Sequence, residues 1–124
     1  MYLLTYPSSL CYAALVRGIA GGDGIILVTG STGFVGREIV RSLRNANMPV
    51  RAVVHTPSHA LSISGLGAEV SYADVRNPLT LHQSMETVRS VVHLVGVIRE
   101  SHTSTFQDIN IDGTASVLNA AIAA

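Results

Sequence analysis

From residue 25 onward the chain alternates short aliphatic runs with segments whose apolar positions recur at helical spacing. Ile25-Ile26-Leu27-Val28 is unbroken by any polar residue and ends at Thr29, the pattern of a parallel strand buried on both faces. Residues 33–46 follow with Val35, Ile39, Val40 and Leu43 on one helical stripe, and Met48-Pro49 closes that helix ahead of a second strand over residues 50–54. A short helix over 59–64 stops at Gly65-Leu66-Gly67, and a third strand occupies 69–72. Asn77-Pro78 has the form of an N-cap followed by proline at the first helical position, which starts a helix running to about residue 87. A fourth strand covers 90–95, and a last helix spans 105–123 with Phe106, Ile109, Val117, Leu118, Ala121 and Ile122 on its apolar side.

Strands separated by helices in this order demand right-handed crossovers, hence an α/β fold with a Rossmann-type parallel sheet flanked by helices. Counted from residue 25, the expected strand order is 3-2-1-4. That is about half of a doubly wound sheet, so the chain reads as truncated after about four strands, with the outer edge of the fourth left open. A missing C-terminal half, a second copy of the chain or a larger complex is expected to cover that edge. Residues 1–24 stand apart. They read as a poorly ordered N-terminal extension ending in a glycine-rich linker at Gly21-Gly22-Asp23-Gly24, and residues 25–124 as the incomplete nucleotide-binding domain. A secretory signal fits poorly, because the only positive side chain of the extension, Arg17, follows its apolar run instead of preceding it.

Composition narrows the classes of partner. A chain of 124 residues that is 48% hydrophobic fills one core, yet no stretch approaches the ~20 apolar residues of a membrane span. Eight basic and eight acidic residues cancel, which removes the long-range attraction that nucleic-acid binding uses. The single Cys11 has no intrachain disulfide partner, and no Cys/His spacing resembles a zinc site. A reducing cytoplasm is the default compartment.

The most informative stretch is Thr29-Gly30-Ser31-Thr32-Gly33-Phe34-Val35-Gly36, with glycines three apart between the first strand and the first helix. Gly30 allows the tight turn out of the strand, Gly33 lets the backbone approach a pyrophosphate, and Gly36 lets the helix pack closely on the sheet. The free N–H groups at the helix start then face the phosphates, with the backbones of Ser31, Thr32, Phe34 and Val35 as donors. The strand before, the helix after and the βαβ unit that follows are the context that makes this a dinucleotide-binding fingerprint. About 20 residues further on, an acid at the end of the second strand accepts bonds from both adenosine ribose hydroxyls when the cofactor is NAD. Here that strand ends Val54-His55-Thr56, and no acid lies between Arg51 and Ser64. The reading leans to NADP, with His55 placed against a 2′-phosphate or left as an exposed loop histidine.

These segments, together with Ala73-Asp74-Val75-Arg76-Asn77-Pro78, Val91-Val92-His93-Leu94-Val95-Gly96, Phe106 through Asn110, Gly113-Thr114 and Asn119-Ala120-Ala121, resemble the extended or atypical short-chain dehydrogenase/reductases. The resemblance is closest to the NAD-dependent epimerase/dehydratase-like group that includes the 39 kDa-type accessory subunit of NADH dehydrogenase, and it covers the chain from Ile25 to its end. It implies that Asp74 bonds the adenine amino group with Val75 beside the ring, although Asp74 also suits a turn cap before Pro78. It implies further that Leu94, Val95 and Gly96 run along the nicotinamide ribose, and that Asn110 helps to shape the active site unless it is a plain packing amide. His93, inside a buried strand, reads as a satisfied core histidine.

Enzymes of that superfamily use a Tyr-x-x-x-Lys pair, in which the lysine lowers the tyrosine pKa for proton exchange during hydride transfer. Tyr2, Tyr6, Tyr12 and Tyr72 are not followed by lysine, since the 124 residues contain none. Two readings therefore stand. The chain is an NAD(P)-binding module without catalysis of its own, or the N-terminal fragment of an NAD(P)-dependent epimerase, reductase or dehydratase acting on a nucleotide sugar or small carbonyl compound.

Overall fold

The interior of the four-stranded sheet is taken by the aliphatic run that begins at residue 25. β3 (Ile25–Thr29) sits between β4 (Val50–Val54) and β6 (Val88–His93), parallel to both, and β5 (Glu69–Tyr72) extends the sheet beyond β4. The order β5-β4-β3-β6 is the 3-2-1-4 arrangement expected from the alternation of strands and helices. The structure, a computed structural model, describes residues 2–5, 13–16 and 24–124. The linker residues Gly21, Gly22 and Asp23 lie outside the described residues. Within the extension, β1 (Tyr2–Thr5) and β2 (Ala13–Val16) pair antiparallel, Tyr2 opposite Val16 and Thr5 opposite Ala13. β2 lies next to β6 without joining its hydrogen-bond ladder.

Side chains alternating along β3 feed two cores. Ile26 and Val28 pack with Val40 of α1 (Phe34–Asn45), Ile63 of α2 (Ala60–Ser64) and Val50, Ala52 and Val54 of β4. Leu27 faces the other way, toward Leu81 of α3 (Pro78–Ser84) and Val117 and Ala120 of α4 (Gly113–Ala123). Each fully buried Leu or Val contributes about 1.5–3 kcal/mol, so a polar residue anywhere in 26–28 would cost one core or the other.

The helix ends follow local chemistry in part. α1 closes as a Schellman turn: Asn47 takes a left-handed φ of 58°, its N–H donates to Arg44 and that of Met48 to Leu43, at 2.9 and 3.0 Å. Asn77 caps α3 through the N–H of Leu79 at 3.2 Å. That helix stops at Ser84, short of residue 87, because Arg51 of β4 takes the carbonyls of Ser84 and Glu86 (2.9 and 2.6 Å), and Thr87 turns the chain with φ 62°. β6 accordingly begins at Val88 and ends at His93, leaving residues 94–96 as its exit. The last helix opens with a wide π-helical stretch, Gln107–Asp112, before α4. Among the described residues no helix is long and apolar enough to cross a membrane.

His93 is 1% exposed, and burial pushes its pKa down from 6.5 to about 4. The folded protein thus binds fewer protons than the unfolded chain between those values, so this contribution is complete above pH 6.5 and is lost as pH falls toward 4. Denaturant melts should show stability dropping over that window by roughly 3 kcal/mol, and His93→Leu should remove most of the slope. An unchanged slope in that variant would assign the acid sensitivity elsewhere.

Candidate functional site

The turn between β3 and α1 brings main chain against main chain. Gly30 has φ +67°, and a Cβ there would lie 2.8 Å from the carbonyl carbon of Leu94 and 2.9 Å from its oxygen. A Cβ on Gly36 would run into the Gly30 carbonyl oxygen and come within 2.8 Å of Ser31 Cα. Gly33 differs: its φ is −72°, and a Cβ would meet nothing nearer than the Gly30 oxygen at 3.4 Å. The protein has room for a side chain at 33, and that side chain would occupy the open space above the loop.

The same space faces an uncapped helix start. Gly33 supplies no side-chain cap, the first turn holds no acid, and the first bond of α1 runs from Arg37 N–H to the Gly33 carbonyl at 3.0 Å. Helix geometry leaves the N–H groups of Phe34, Val35 and Gly36 without an intrahelical acceptor, and the positive end of the dipole adds to them. This donor set suits a phosphate. Two buried hydroxyls hold the turn from below: Ser31 Oγ donates to the Val53 carbonyl at 2.6 Å, and Thr29 Oγ1 accepts from Leu94 N–H at 3.2 Å.

A cleft of about 360 Å³ opens over the loop, at the lower end of ligand-sized cavities. Gly30, Thr32, Gly33, Phe34, Val35 and Gly36 line it together with His55, Asp74, Val75, Leu94, Val95 and Gly96. These are twelve of the thirteen residues singled out in the sequence. The thirteenth, Ser31, is fully buried with its hydroxyl on β4. Sequence reasoning passed over the cleft residues Val53, Ala73, Arg76, Val97, Ser104 and Ile109. Of these, only Arg76 had a legible signal, the Asp-x-Arg spacing at a strand end.

Asp74 is the best-bound group in the cleft. Its carboxylate accepts from Arg76 Nε (3.0 Å) and Nη2 (2.7 Å) and from the Arg76 backbone N–H (2.9 Å), and His55 Nε2 lies 3.1 Å away. The guanidinium bonds hold its pKa at about 2 against an ordinary 3.8, so it stays an acceptor at any physiological pH. Arg76 also donates to the Thr103 carbonyl at 3.1 Å, which ties the β5 exit to the loop after β6. At the far wall, Asn110 in the π-helical stretch clamps the backbone of one residue: Oδ1 accepts from Val97 N–H at 2.8 Å and Nδ2 donates to the Val97 carbonyl at 2.9 Å. A packing role, one of the two readings open for Asn110, accounts for both bonds. Among the described residues no cluster of His, Cys, Asp and Glu could hold a metal.

Residues 26–124 match the family model described as the NAD dependent epimerase/dehydratase family. The chain belongs to that family. The match covers its nicotinamide-dinucleotide-binding domain, and the chain spans about a third of the length of the first relatives it matches. It is 31% identical over 97 residues to the sterol demethylase protein B of Methylococcus capsulatus, covering 77% of this chain and 30% of that one. It is 28% identical to the photosystem II assembly factor Ycf39 of Trieres chinensis, covering 80% and 31%. A short-chain dehydrogenase/reductase superfamily protein from Agrobacterium tumefaciens, solved with bound NAD, superposes with a TM-score of 0.66 at 32% identity, covering 80% and 29%.

The loop geometry separates two substitutions. Gly33→Val should leave the melting temperature within about 2 °C of wild type while abolishing dinucleotide binding, whereas Gly36→Val should unfold the domain. Undiminished affinity in a folded Gly33→Val chain would remove the pyrophosphate from this loop.

Proposed function

We propose that the chain is the NAD(P)-holding part of a short-chain dehydrogenase/reductase-like protein and carries no proton relay of its own. The pyrophosphate lies over Gly33 against the α1 N-terminus, the adenine toward Asp74 and Val75, and the nicotinamide ribose along Leu94, Val95 and Gly96. The observation that carries this is the convergence of those residues on one cleft above an uncapped helix start. We further infer a preference for NADP. No carboxylate ends β4, and His55 stands there instead. In the free site His55 shares Asp74 with Arg76, so an adenine amino group competes for the same oxygen and turns the imidazole outward, toward the ribose 2′ position.

Binding without turnover is favoured by the likeness to an assembly factor. The second reading, part of an active epimerase, reductase or dehydratase on a nucleotide sugar or small carbonyl compound, draws on the sterol demethylase protein B and the NAD-bound neighbour. A continuation of the protein, a second copy or a larger complex as partner, and a cytoplasmic setting suited to the lone Cys11, complete the proposal.

Calorimetric titration with NADPH and NADH tests it. Saturable binding with NADPH the tighter ligand is expected, and His55→Asp should move the ratio about tenfold toward NADH. A folded chain that takes up neither dinucleotide would overturn the binding reading, and an unaltered ratio would place His55 outside the site.

A further inference from the structure

Beneath the cleft, where the glycine turn meets the exit of β6, lies a polar group that neither the cleft nor the core accounts for. His93 Nδ1 is 2.6 Å from Thr29 Oγ1, and its Nε2 is 3.1 Å from Thr114 Oγ1 on α4. Thr29 is fully buried as well, and its hydroxyl oxygen already accepts from Leu94 N–H. If Nδ1 carried the ring proton, Thr29 Oγ1 would accept twice and its own proton would be left buried without an acceptor, at a cost of about 1–3 kcal/mol. With the proton on Nε2, Leu94 N–H donates to Thr29 Oγ1, Thr29 O–H to Nδ1 and Nε2–H to Thr114 Oγ1, and the hydroxyl proton left without a protein partner is that of Thr114, which is half-buried where Thr29 is fully buried.

This chain of bonds joins three walls of the cleft. Thr29 precedes the Gly30 turn, whose backbone rests on the Leu94 carbonyl. Leu94 begins the exit that continues through Val95 and Gly96. Thr114 follows Gly113, where α4 packs so closely on Val75 that a Cβ would come within 2.9 Å of Val75 Cγ2. The imidazole thus ties the Gly30 turn to the Leu94–Gly96 wall, beside the direct backbone bond from Leu94 N–H to the Thr29 carbonyl at 3.3 Å.

We propose that His93, as the neutral Nε2–H tautomer, is a positioning residue for the dinucleotide, holding the Gly30 turn in register with the β6 exit through Thr29. This rests on the dinucleotide reading above. The histidine touches no ligand and acts through Thr29 and Leu94.

Nitrogen-15 NMR of the imidazole in the whole chain at neutral pH reads the tautomer. A protonated Nε2 and a bare Nδ1 are expected, and a protonated Nδ1 overturns the proposal. Calorimetry with NADPH and NADH then compares two substitutions. His93→Asn sets a carbonyl oxygen near the Nδ1 position and keeps the Thr29 bond, while His93→Leu keeps the bulk and drops both bonds. The Leu variant should lose about tenfold or more in affinity and the Asn variant stay within about threefold of wild type. A merely structural histidine would lower Tm in both and move the two affinities together. That result, or wild-type affinity in the Leu variant, sinks the proposal. Should the Leu variant not fold, Thr29→Val and Thr29→Ser test the same bond from its other end, with loss expected in the first and recovery in the second. Wild-type protein that binds neither dinucleotide defeats the underlying reading before any variant is compared, whereas the imidazole spectrum fails independently of binding.

Discussion

Residue 36 lies against the carbonyl of residue 30 with no side chain between them, and that contact sets where α1 begins relative to the sheet. Because the helix axis is brought so near β3, the first three amides of α1 point into the cleft instead of into a layer of packed side chains. The stripe Val40, Ile39 and Leu43 then falls onto the β3–β4 surface and closes one core. Binding geometry and core packing are here two results of the same missing methyl group, so the loop cannot drift in sequence without disturbing both.

Around that contact the walls of the cleft are fixed by polar groups buried or half-buried just outside it. Ser31 reaches back to β4, Thr29 reaches across to β6 through His93 and Leu94, and Asn110 grips the Val97 backbone. None needs a ligand to be satisfied. The donors above the loop are the exception, left open by a helix that has neither a capping side chain nor an acid in its first turn. A rigid scaffold with one unsatisfied set of amides is already complementary to an anion before any arrives.

Much of this was legible in the sequence, because the controlling signals are local. The aliphatic run at 25–28, the glycines at 30, 33 and 36, the Asn77-Pro78 cap and the Gly65-Leu66-Gly67 stop each act within a few residues. The rest depends on partners distant along the chain. α3 ends early because an arginine 33 residues before Ser84 takes its last carbonyls, and nothing within the helix announces that. Ser31 belongs to the fingerprint, yet its side chain is drawn to Val53, 22 residues away. The π-helical stretch escaped for the same reason, since its Asn110 is held by Val97, 13 residues away.

The wide turn over Gln107–Asp112 carries a consequence for sequence length. A π-type turn holds one residue more than regular winding allows, so deleting a single residue there would restore an ordinary helix. The flanking turns would stay in register, and the residues of the wide turn itself would shift by one position, about 100°, around the helix. Asn110 and Ile109 would swing away from the cleft while Thr114, Val117 and Ala120 kept their places. This part of the chain therefore tolerates substitution more readily than a change of frame, and aligned relatives that share the Val97 clamp should preserve the number of residues between it and Gly113.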